Sequence, residues 1–169
     1  MAFRREYVET LRLLARAFAL YEVQGYERPI IVGGSAVEYY THGAVESGDF
    51  DLVEADERAL GGALEAVDFV RENRAGHLLR GFYHPELLTG VEIVSGTLFD
   101  GRTDRSRSGV LMLDESSVLF PPVEDLIADR LAQYEASQRQ DSEMLGQARS
   151  LLELADQLDH GIPNQTCAG

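Results

Sequence analysis

The stretch IIVGGSAVEYYTHGAVESGDFDLV, residues 30–53, constrains this chain more than any other part of it. Ile30, Ile31 and Val32 form a β-branched run with no polar interruption, which reads as a buried strand. Gly33-Gly34 closes it. Ser35 stands where a helix N-cap belongs, and Ala36 to about His42 reads as a short helix. Gly43 to Gly48 is a loop. Asp49-Phe50-Asp51-Leu52-Val53 then alternates acid and apolar residues, the period of a strand with two different faces. Strand, turn, helix, loop and strand in this order require a sheet with a helix packed against it, so the chain is of the α/β class.

The flanking sequence extends that sheet. Tyr7, Leu11, Leu14, Phe18 and Tyr21 recur at helical spacing and predict a helix from Arg5 to about Val23, ended by Gly25. Asp56 starts another, roughly Glu57 to Phe69. Leu78 to Phe82 and Leu87 to Val94 read as strands, and Asp100 to Ser108 as an arginine-rich loop. Short strands follow near 110–113 and 118–120. After Pro121-Pro122 the pattern is helical, one helix to about Glu135 and another from about Arg139 to Leu158, stopped by Gly161-Ile162-Pro163. The expected architecture is a mixed β-sheet flanked by helices, an α/β (α+β) arrangement with a C-terminal helical pair. The expected division is a core at 1–120, a helical segment at 121–160 packed on it, and a flexible tail at 161–169.

Composition removes several classes. All fifteen basic residues are arginine. A P-loop needs a lysine on its phosphates and pyridoxal chemistry needs a Schiff-base lysine, so both drop out. The net charge of −14 argues against broad binding to duplex nucleic acid, which needs a basic footprint. No apolar run has the length of a membrane span, and no signal-peptide pattern follows Arg4-Arg5-Glu6. Cys167 is the single cysteine and cannot form an internal disulfide, so a reducing cytoplasm is the expected setting. The four histidines have no metal-ligand spacing. Val37 stands where a serine-hydrolase elbow needs glycine.

What remains points to phosphate chemistry. Residues two apart on a strand share a face, so Asp49 and Asp51 project side by side. Their repulsion is relieved by a divalent cation, and magnesium takes one or two carboxylates plus phosphate oxygens. Glycine lets the backbone approach a phosphate, while a serine hydroxyl and the N–H groups of a helix start donate to it. A phosphate cradle beside a magnesium clamp is equipment for phosphoryl or nucleotidyl transfer. Taken singly, Ser35 could merely cap a helix and the two aspartates could be ordinary exposed positions; their coupling favours the nucleotide site. Glu92 stands among Leu87, Leu88, Val91, Ile93 and Val94, where an acid needs a partner or a metal unless it marks the polar face of an edge strand.

This combination resembles the Gly-Ser and Asp-x-Asp signature of the polymerase-beta-like nucleotidyltransferase superfamily, over roughly residues 28–155. In that family a third carboxylate comes from a later strand between apolar residues, and Glu92 in Val91-Glu92-Ile93 matches it. The stretch PPVEDLIADRLAQYEASQRQD is similar to the helical segment of abortive-infection and antitoxin-like members, where a basic and a later acidic residue fall at Arg130 and Asp141. Gln140 departs from that pattern, since a lysine often precedes the aspartate. The resemblance implies transfer of a nucleoside monophosphate from a nucleoside triphosphate to an acceptor, in a toxin–antitoxin or resistance setting. Asp49, Asp51 and Glu92 would be the catalytic and metal-binding residues, holding Mg2+ or Mn2+, with Glu92 alternatively accepting the acceptor's proton. Gly33, Gly34 and Ser35 would bind the nucleotide. The acidic surface suits a cationic small molecule or a basic protein as acceptor; a homo-oligomer stays open. The competing readings are a binding module or antitoxin that keeps the fold without activity, and a phosphohydrolase with water as acceptor.

Overall fold

The three apolar residues of β1 (Ile30–Val32) occupy the interior of a seven-stranded sheet of order β3-β4-β5-β2-β1-β7-β6. The other strands are β2 (Asp49–Val53), β3 (Val70–Arg71), β4 (Gly81–His84), β5 (Thr89–Ile93), β6 (Gly109–Leu113) and β7 (Ser116–Phe120). β1 runs antiparallel to β2 and parallel to β7, and β2 runs parallel to β5. The computed structural model describes residues 3–53, 55–72, 81–94 and 98–158. Two of the four histidines (His77 and His160), Cys167, the tail at 161–169 with its stop at 161–163, and the start of the strand at 78–80 lie outside the described residues.

Among the described residues five helices accompany the sheet: α1 (Arg5–Val23), α2 (Gly33–Tyr40), α3 (Glu57–Glu65), α4 (Val123–Ala136) and α5 (Ser142–Leu158). The α1 stripe predicted from spacing is the buried one, with Tyr7, Leu11, Leu14, Phe18 and Tyr21 all in the core. Strand register sorts the rest. Ile31, Phe50, Leu52, Phe82 and Val91 share one sheet face with the core residues of α1, α2 and α3. Leu126 and Ile127 of α4 and Leu151 of α5 join that same cluster. The opposite face has a small apolar patch, Ile30, Val32, Val53 and Leu98. Among the described residues no helix is long and apolar enough to cross a membrane.

Several predicted boundaries move, each for a local reason. α2 begins at Gly33 instead of Ala36, because Gly33, at φ +67°, turns the chain directly from strand into helix. Ser35 therefore lies inside the first turn and is not the N-cap, a place taken by Val32. α3 stops at Glu65, short of Phe69, and Asp68 at φ +71° carries the turn beyond it. β5 starts at Thr89 because Leu87-Leu88 form the β4–β5 turn, with Leu88 at φ +52° and 85% exposed. α5 starts at Ser142, since Gln138 and Arg139 both take positive φ. The arginine-rich loop contains two 3-10 turns, Leu98–Gly101 and Arg105–Arg107.

Candidate active site

The parallel pairing of β2 with β5 brings together two acids far apart in the chain. Asp51 is the register partner of Glu92, and across the other edge of β2 it is the partner of Val32, the last residue before the glycine turn. Asp49, two residues earlier on the same face, pairs with Gly90. Asp49, Asp51 and Glu92 thus form a row on the sheet face opposite α1, α2 and α3, beginning beside the start of α2.

Glycines make room for that row. A side chain at Gly33 would place its Cβ 2.3 Å from Asp51 Oδ2, and one at Gly90 would stand 2.6 Å from Asp49 Oδ1. The Gly90 N–H donates to Asp49 Oδ1 at 3.2 Å. Gly34 faces the loop instead, where a Cβ would lie 2.7 Å from Ser47 Oγ. Gly90 is a site residue the sequence reading missed; a glycine inside a strand, where close approach is common, was its signal. Ser35 is fully buried, its hydroxyl donating to the Val32 carbonyl at 3.1 Å and its carbonyl accepting from the Tyr7 hydroxyl at 2.7 Å.

Crowding shows in the electrostatics. Burial, then the neighbouring Glu92 and Asp49, push the Asp51 carboxyl up to about 6, while Arg130 pulls the other way. Arg130, on α4, is itself buried; it donates to Asp129 at 2.7 Å and Gln147 at 3.3 Å, and its Nε has no protein partner. Asp141 caps α5, accepting from Met144 N–H at 3.3 Å. Arg102, Arg105 and Arg107 are engaged within the protein, by the Phe99 carbonyl, Glu27 and Asp125 respectively. Tyr39 stacks on Phe120 at 4.1 Å and the Tyr40 hydroxyl donates to the Pro121 carbonyl, so both fasten α2 to the sheet.

Among the described residues no three acid, histidine or cysteine side chains close into a complete metal-ligand set. In chemical type, the carboxylates of Asp49 and Asp51 are the donors that a hard cation of the magnesium kind takes. They are spaced along a strand face, and such an ion completes its shell with phosphate oxygens and water. The first-turn N–H groups of α2, which have no intrahelical acceptors, suit an anion next to it.

No protein-family profile matches the sequence, and no curated protein does. Solved structures do. The chain is similar to an antigenic nucleotidyltransferase-like protein from Paracoccidioides brasiliensis, with 19% identity, TM-score 0.65, and coverage of 90% of this chain and 78% of that one. It is also similar to ANT(2")-Ia, solved in complex with adenylyl-2"-tobramycin, with 16% identity, TM-score 0.50, and coverage of 89% and 93%. These likenesses are structural, and the fold they establish for this chain is that of the nucleotidyltransferases.

Proposed function

We propose that the chain is a magnesium- or manganese-dependent nucleotidyltransferase that moves a nucleoside monophosphate from a nucleoside triphosphate onto a small-molecule or protein acceptor. The observation that carries this reading is the row Asp49, Asp51 and Glu92 beside the Gly33 turn, on a sheet of nucleotidyltransferase type. Asp49 and Asp51 would hold the cation, which when bound would supply positive charge against the triphosphate. Gly33 and Gly34, at the α2 start, keep the phosphates in place, and Ser35, buried with its hydroxyl on the Val32 carbonyl, supports the turn beneath them. The acceptor oxygen bonds to the α-phosphorus, the bond to pyrophosphate breaks, and Glu92 takes the acceptor's hydroxyl proton. Residues 1–120 make up the catalytic core and 121–160 the helical segment against it. The acidic surface favours a cationic acceptor, in keeping with the adenylylated tobramycin bound by ANT(2")-Ia.

Incubation with labelled triphosphates, magnesium and a panel of cationic and protein acceptors tests this. Label transfer should fall by about 1000-fold in Asp49→Ala and Asp51→Ala, the several kcal/mol that metal-held charge is worth. A second reading, a silent binding module or antitoxin on the same fold, is favoured by the absence of a closed three-acid ligand set among the described residues. Stabilisation by magnesium-ATP with no transfer to any acceptor selects that reading. Free monophosphate without labelled acceptor would mark water as the acceptor.

A further inference from the structure

Glu38 on α2 is a carboxylate with no exposed surface. Buried charge is costly unless it is paired and hydrogen-bonded. Glu38 receives three donors: Arg4 Nε at 3.1 Å, Arg4 Nη2 at 2.8 Å and the Ser47 N–H at 2.7 Å. Arg4 Nη2 also donates to the Ser47 carbonyl at 2.6 Å, so both polar groups of the Ser47 backbone are gripped. Glu46 lies at the rim of the same arginine, 3.9 Å away. The Ser47 hydroxyl donates to the Asp49 carbonyl at 3.0 Å and fills the space that Gly34 leaves open. The segment before α1, the middle of α2 and the loop into β2 therefore meet on one residue, two positions ahead of Asp49.

Asp49 needs such support. It is exposed, it stands at the first position of β2, and its neighbour Asp51 repels it. Left to a free loop, the start of the strand would relax so as to part the two carboxylates. An ion pair of this kind is a poor device for stability alone, because an apolar pair of similar volume serves as well. Its distinctive effect is to hold one arrangement of the backbone.

We propose that Arg4 and Glu38 are positioning residues which, through Ser47, hold Asp49 in register with Asp51 and so set the affinity of the acid row for a divalent cation. This rests on the function proposed above. Manganese binding to the chain, followed by electron paramagnetic resonance with a non-hydrolysable ATP analogue, separates the two claims. Arg4→Met/Glu38→Leu replaces the pair by apolar side chains. We expect it to melt close to the native protein in metal-free buffer, yet to bind manganese about tenfold more weakly, as when the support of a metal ligand is lost. Arg4→Lys, which keeps the charge, should recover part of that affinity. Ser47→Ala leaves the ion pair intact and removes only the hydroxyl link, and should weaken manganese binding by about threefold; it carries the test if the double variant does not fold. Native affinity in a folded double variant, or in Ser47→Ala where that variant is unfolded, overturns the positioning role and leaves the function standing. A native protein that takes up no manganese overturns the function, and the positioning role with it.

Discussion

Asp51 couples the site to stability. Its carboxyl is held at about 6 in the folded chain by burial and by Glu92, against an ordinary value near 3.9 in the unfolded chain. The folded state thus keeps this proton longer, and ionising Asp51 costs folding free energy. The cost is absent below about pH 4, grows as pH rises towards 6, and is complete above it, on the order of 3 kcal/mol. Asp51→Asn should therefore be about 2–3 kcal/mol more stable than the native chain in urea at pH 8 and no more stable at pH 4. An equal difference at both pH values would contradict this. Magnesium should stabilise the native chain at pH 8 and do so less in the variant. Gly90→Ala addresses Asp49, because its Cβ would come 2.6 Å from Oδ1 and turn the carboxylate aside. Transfer should drop by about 100-fold, as for a reacting group misplaced by an ångström, with little change in melting. Unchanged transfer would show that the direction of Asp49 is immaterial.

Elements written in local pattern were legible in the sequence. The α1 stripe, the apolar β1 run, the Asp-x-Asp strand and the Asp56 start of α3 each depend on neighbours a few residues away. Asp56 accepts from the Ala59 N–H at 2.9 Å, and Asp56→Ala should lower stability by about 1 kcal/mol in urea denaturation, with transfer unaffected. What stayed hidden depends on pairing across distance. That Glu92 lies beside Asp51 was anticipated only through the family resemblance, because it follows from β2 and β5 running parallel, which no local period encodes. Gly90 gains its meaning only once Asp49 faces it, and Glu38, read along the helix, looks like an ordinary acid until Arg4 is brought to it from another segment. Two-residue β3 is too short to have a pattern at all. Positive φ at Leu88, Gln138 and Arg139 likewise delayed β5 and α5 beyond the starts that residue type alone favoured.

For the whole molecule, charge is the dominant property. A net charge of −14 on a chain of this size repels itself, and salt screens that repulsion. Raising sodium chloride from about 10 mM to 150 mM, where the screening length shortens to about 8 Å, should raise the urea midpoint. The same change should raise KM for a cationic acceptor while leaving KM for a neutral one unaltered; equal shifts would locate the effect elsewhere. The parallel junction of β2 and β5 has a kinetic corollary. Such a contact closes only after a long crossover has been ordered, and non-local pairing is slow beside helix formation. In a refolding experiment the far-ultraviolet helical signal should recover before manganese uptake does, so the ion would report completion of the topology and ignore every earlier species.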